Sequence, residues 1–288
     1  MWSQILSDRA GSFFQGAIAK ESMFKNVVFG CILPLLVSCA VSPTGRQQLT
    51  MLSSQELDAM GEQSFRQLEQ STPVDRDPQT NSYVRCVADA IVRQVPGSSW
   101  DWEVVTFEDE SANAFALPGG KIGVYTGLLE VAQNQDQLAA VIGHEIGHVL
   151  AQHANERMSQ QIAVQGGLGL LGAVAGAAAN PGLSQVAVQA LGLGAELGIL
   201  LPYGRVQESE ADVIGLDLMA RAGFDPRASV ALWRNMDRAG GGQPPEFLST
   251  HPSHGTRIGN LEANMPRAEQ TYRVARNQGE RPQCGGAQ

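Results

Sequence analysis

At 288 residues, with 43% hydrophobic and 17% charged side chains, the chain can bury a real core and is not a disordered polymer. Its 29 Asp and Glu outnumber 20 Lys and Arg, and only Lys20, Lys25 and Lys121 are lysines. That balance leaves no basic patch for a phosphate backbone and excludes nucleic-acid binding.

In chain order, the first feature is a leader. From Met23 the sequence reads Met-Phe-Lys-Asn, then an apolar run from Val27 to Val37, then Ser38-Cys39-Ala40. A short basic start, about a dozen apolar residues and a small-residue site make a secretory signal over 1–38, with Met23 the expected start of translation. Leu36-Val37-Ser38-Cys39 resembles the lipobox of bacterial lipoproteins, so Cys39 is the expected lipidation site and mature N-terminus. Ala40 behind it points to the periplasmic side of the outer membrane of a Gram-negative-type cell, and residues 39–52 then read as a polar tether. Export implies an oxidising compartment. With Cys31 removed and Cys39 acylated, Cys86 and Cys284 are left to pair.

The folded part reads as one domain over 53–265, with a tail over 266–288. Ser53 and Glu56 form a capping box that opens a helix to about Gln70. A second helix runs from about Thr80 to Val95 and stops at Pro96-Gly97. Trp102–Phe107 alternates as a strand. Ala114–Leu117 and Ile122–Tyr125 flank Pro118-Gly119-Gly120, a strand, turn and strand. Mostly helical sequence follows, without internal repeats. Between Arg157 and Glu196 there is no charged residue, and Gly and Ala dominate. That stretch, divided at Asn180-Pro181-Gly182, reads as a helical hairpin or lid beside the active site, or else as a membrane contact.

Asn134 caps a helix whose apolar residues fall at helical spacing, and within it lies His144-Glu145-Ile146-Gly147-His148. Two histidines four residues apart leave one face of a helix and can share one tetrahedral zinc, Zn2+. Glu145 lies one position round, placed to act as general base on water activated by the metal. Gly143 and Gly147 suggest a second backbone packed close by. An extended three-histidine motif is ruled out by Ala151 and Ala154, and His153 falls on the apolar side as a structural residue. The third ligand is therefore sought downstream. Glu208 and Asp212 share a helix face in Gln207–Asp212, whereas Glu210 points away as a solvated charge. Glu208 is the expected ligand, and Asp212 can orient a ligand histidine.

The chain resembles the HtpX- and Oma-like zinc endopeptidases, which are gluzincins, and most closely their periplasmic lipoprotein members. The resemblance rests on His144–His148, Glu208–Asp212, Asn113–Gly120 and His251-Pro252-Ser253-His254-Gly255-Thr256-Arg257, in the family's order over about residues 50–265. It implies an α+β, mainly helical zincin-like fold, with a small sheet and an active-site H-E-x-x-H helix. It also implies that Asn113, Ala114, Phe115 and Ala116 lie on an edge strand that receives an extended peptide. His251 would sit above the metal, either steadying the oxyanion or filling the open zinc position in a latent state. Substrates would be misfolded or stalled envelope proteins, with envelope assembly machinery as a further partner. The tetratricopeptide domain of some members has no counterpart after Met265. Two rivals remain: a scaffold with its zinc site closed by His251, and a membrane protease that uses 158–195 as a hairpin.

Overall fold

The computed structural model describes residues 39–97, 100–174, 203–239, 246–251 and 256–285. The leader over 1–38 lies outside them. Strands β1 (Cys39–Val41) and β2 (Gln47–Leu49) pair antiparallel, Cys39 opposite Leu49. The segment read as a polar tether contains a hairpin, closed by Gly45 at φ +90° and by Ser42 N–H donating to Arg46 C=O at 2.8 Å. Its polarity is misleading because Arg46 is half-buried and paired. It reaches two buried acids, Glu156 and Glu210.

Helix α1 (Ser54–Ser71) starts at the Ser53–Glu56 capping box. Helix α2 (Pro78–Val92) begins slightly before the expected Thr80, because Asp77 accepts from Thr80 N–H at 2.7 Å and Pro78 fits the first turn. Strands β3 (Glu103–Phe107), β4 (Ala114–Leu117) and β5 (Lys121–Tyr125) form one sheet in the order β3-β5-β4. β3 runs parallel to β5 and β4 antiparallel, so β4 is an edge of this sheet. Gly119 and Gly120 take φ of +83° and +77° in the β4–β5 turn, where a side chain would be strained. On one face the rings of Phe65, Phe107, Phe115 and Tyr125 pack together.

After α3 (Thr126–Val131) comes the central helix α4 (Gln135–Leu150), capped by Asn134. Leu138, Ile142 and Ile146 repeat every four residues and are fully buried against the core, each contributing about 1.5–3 kcal/mol. Helices α5 (His153–Val174), α6 (Arg205–Arg221), α7 (Ala228–Ala239), α8 (Glu246–Thr250) and α9 (Arg257–Asn277) follow. The glycines of α4 do meet a second backbone. A Cβ on Gly143 would lie 2.9 Å from Gly215 O, one on Gly147 would lie 2.8 Å from Ala211 O, and one on Gly215 would lie 2.6 Å from His144 N. Helices α4 and α6 therefore touch main chain to main chain.

Helix α9 runs past the boundary drawn at Met265, through Pro266 to Asn277. Beyond it Gln135 donates to Pro282 C=O at 3.1 Å and accepts from Cys284 N–H at 2.9 Å. Cys284 is disulfide-bonded to Cys86, 198 residues away. Among the described residues no helix is long and apolar enough to cross a membrane. The first part of the glycine-rich stretch lies in α5, and 175–195 fall outside the described residues.

Closing so long a loop removes much freedom from the unfolded chain, about 5 kcal/mol by loop-entropy estimates. Cys284→Ser should therefore lower the free energy of unfolding by about 2–5 kcal/mol in urea titration of oxidised protein. A loss below about 1 kcal/mol would mean that the Gln135 contacts hold the tail by themselves.

Candidate metal centre and peptide groove

Helix α4 supplies His144, Glu145 and His148, and α6 supplies Glu208 and Asp212. Residue His251 follows α8. All six are buried, at 2–6% exposure. His144 Nε2 and His148 Nε2 lie 3.0 Å apart, and they stand 3.5 and 3.4 Å from the Glu208 carboxylate. His251 Nδ1 is 3.3 Å from His144 Nε2 and 3.1 Å from Glu208 Oε1. Donors about 2.0–2.1 Å from a tetrahedral zinc would be roughly 3.3–3.4 Å from each other. Two imidazoles, a carboxylate and a third imidazole at these separations fit one such ion, and one donor atom from each lies within 4.8 Å of all the others.

The surroundings set the charges. Burial disfavours an ionised Glu208, yet hydrogen bonds from His144, His148 and His251 hold its carboxyl far below the usual range. Burial and the Arg257 charge oppose protonation of His144, but Asp212 and Glu208 outweigh them and hold it up to about 9. A metal takes the place of that proton when it binds. Burial pushes His148 well below its ordinary value, leaving a neutral ligand. Burial also pushes the Glu145 carboxyl up, towards the range useful to a general base. Among the described residues Glu145 Oε1 has no hydrogen-bond partner, with His251 Nε2 its near neighbour at 3.5 Å.

Asp212 Oδ1 lies 2.9 Å from His144 Nδ1, which turns Nε2 toward the cluster. Arg257, which in the sequence is no more than part of a shared motif, is central here. It donates to Glu208 at 2.7 Å and to Asp212 at 2.6 Å, and its guanidinium lies 3.5 Å from the centre of the Trp233 ring. His254 lies outside the described residues. Asn113 just precedes β4 and Ala114 to Ala116 lie on it, and all four line a small cavity with Glu145, Tyr203 and His251. The Cys39 backbone pairs in β1, remote in sequence from the cluster.

Three contributors escape a reading of the sequence alone. Glu210 is not a solvated charge but a buried one, and His153 joins it to His148. Glu210 is buried because Thr44, Arg46 and His153 close over its carboxylate, and His153 comes to face His148 because α4 ends at Leu150 and Gln152, at φ +52°, turns the chain before α5 restarts. Tyr203 stacks on His148 with ring centres 3.8 Å apart. No other Phe, Trp or Tyr lies between Tyr125 and Phe224, which is a usable signal.

The model of peptidase family M48 matches residues 78–265, about two thirds of the chain. The mitochondrial metalloendopeptidase OMA1 of Schizosaccharomyces pombe is 40% identical over 192 residues, covering 66% of this chain and 54% of the relative. The bovine (Bos taurus) mitochondrial OMA1 is 36% identical over 245 residues, covering 79% and 46%. The beta-barrel assembly-enhancing protease of Escherichia coli K12 is 32% identical over 213 residues, covering 73% and 43%. The chain thus spans about half the length of these relatives. The matched region runs from α2 into α9 and contains the histidine pair, the downstream glutamate and the edge strand, and by that match the chain belongs to peptidase family M48.

Proposed function

We propose that this protein is a zinc endopeptidase of the cell envelope, anchored through Cys39 on the periplasmic side of the outer membrane. Its substrates are misfolded or misassembled envelope proteins. The observation that carries the catalytic reading is the meeting of His144, His148, Glu208 and a buried Glu145 beside the edge strand β4. The envelope role rests on the leader and lipobox, and on a relative named for assisting β-barrel assembly.

The edge of β4 offers main-chain groups that can pair with an extended peptide, whatever its sequence. That suits a substrate recognised by being unfolded. His144, His148 and Glu208 would hold zinc, which when bound supplies a Lewis acid that polarises a carbonyl and acidifies a water. Glu145 takes the proton from the attacking water and delivers it to the leaving nitrogen. Purified mature protein should carry one zinc per chain and cleave casein. Removing the metal with a chelator should stop cleavage, and added zinc should restore it. Cleavage that persists in metal-free protein would overturn this reading.

A second reading, a latent or chaperone-like scaffold, is favoured by one observation. His251 Nδ1 stands at the fourth corner of the donor set, where a catalytic site would keep room for water. If that contact holds the enzyme shut, His251→Ala should raise casein cleavage about tenfold, the equivalent of ~1.4 kcal/mol of closure. A fall of about 10²-fold would instead assign His251 to the oxyanion.

A further inference from the structure

His144 and His148 are supported differently. His144 has a carboxylate directly behind it, Asp212 at 2.9 Å. Behind His148 is another imidazole: its Nδ1 lies 2.8 Å from His153 Nδ1. His153 is fully buried, and its Nε2 is 3.2 Å from Glu210 Oε2. Glu210 in turn accepts from Arg46 Nε at 2.8 Å and from the Thr44 hydroxyl. The other side of the Arg46 guanidinium donates to Glu156 at 2.5 and 2.7 Å.

The proton order along this row is determined by its far end. His148 directs Nε2 at the donor cluster, 3.0 Å from His144 Nε2, so that atom must keep its lone pair for a metal. The His148 proton therefore sits on Nδ1 and is donated to His153 Nδ1. His153 must then carry its own proton on Nε2, which donates to Glu210. A carboxylate is required there because a neutral acceptor would not oppose the reverse tautomer as strongly. Glu210 is buried and is met by the Arg46 guanidinium and the Thr44 hydroxyl, partners that suit a carboxylate.

We infer that His153 and Glu210 are positioning residues that fix the tautomer and ring plane of His148, and that the hairpin just after Cys39 locks them through Arg46. This rests on the zinc-site reading given above. The β1–β2 hairpin thereby carries one cation onto the outer end of the row.

The test compares zinc affinity, by competition with a fluorescent chelator, for parent protein, Glu210→Gln, His153→Ala, Arg46→Ala and the double variant Arg46→Ala/His153→Ala. His153→Ala should weaken binding about 10–100-fold, the usual effect of removing a partner of a ligand histidine. Glu210→Gln, which keeps the shape of the site and protects against misfolding as an explanation, should weaken it severalfold. Arg46→Ala should weaken the parent but add nothing to His153→Ala. Unchanged affinity in His153→Ala or Glu210→Gln, or an Arg46→Ala effect of equal size in both backgrounds, would overturn the inference. Nitrogen-15 imidazole spectra of the metal-free protein supply a readout independent of zinc. His148 should be protonated on Nδ1 in the parent and mixed in Glu210→Gln, and an unchanged tautomer would refute the relay. A parent that binds no zinc would count against the metal site, while these spectra would still decide the relay.

Discussion

Glu145→Gln should bind one zinc, fold at least as well as the parent and cleave casein about 10²–10⁴-fold more slowly. The size follows from the loss of a proton acceptor with every other group left in place. The stability half of this expectation comes from the burial of Glu145 at 3% exposure, with Oε1 lacking a hydrogen-bond partner among the described residues. Such a carboxylate is costly to bury, and burial raises its pKa accordingly. An amide of the same shape carries no charge to desolvate, so the melting temperature should stay level or rise. A folded, zinc-loaded Glu145→Gln protein with undiminished turnover would remove Glu145 from the chemistry. A fall in melting temperature with zinc lost would show instead that Glu145 is a structural member of the cluster.

Glu208→Ala should do the opposite, damaging both the metal site and the fold. Glu208 faces three imidazoles and accepts from Arg257 at 2.7 Å, with both Glu208 and Arg257 under 5% exposed. Removing the carboxylate takes away one of the two acidic partners that Arg257 has among the described residues, and breaking a buried pair on one side costs about 3–5 kcal/mol. Zinc should also cease to raise the melting temperature, because stabilisation by a ligand needs affinity for the folded state. Calorimetry with and without zinc measures both effects. Glu208→Gln can still accept from Arg257, so it should lose the zinc response while keeping more of the stability. Equal stability in parent and Glu208→Ala would mean that Arg257 relaxes toward solvent.

The parts of this molecule that are legible in its sequence are those written in neighbouring residues. Ser53 and Glu56 specify the start of a helix three residues apart, and Asn134 does the same for α4. Pro118-Gly119-Gly120 specify a turn between two short strands. His144 and His148 share a face because four residues make about one helical turn. What stays hidden depends on contacts between residues far apart in the chain. Arg46 reaches Glu156 and Glu210 across 110 and 164 positions, and no local pattern separates it from a solvated arginine. His153 is misplaced by a two-residue break at the end of α4. A helical projection continued through that break puts every later residue on the wrong face.

The contact between α4 and α6 bears on which residues this chain can replace. Gly143, Gly147 and Gly215 take no part in the chemistry and look like the least informative positions near the site. Yet a methyl group at any of them would wedge the two helices apart, and the shift would separate the donors of one helix from those of the other. The span between His144 and Glu208 is therefore set by three missing side chains. Variation should be tolerated more readily around the exposed rim of this centre than at its smallest residues.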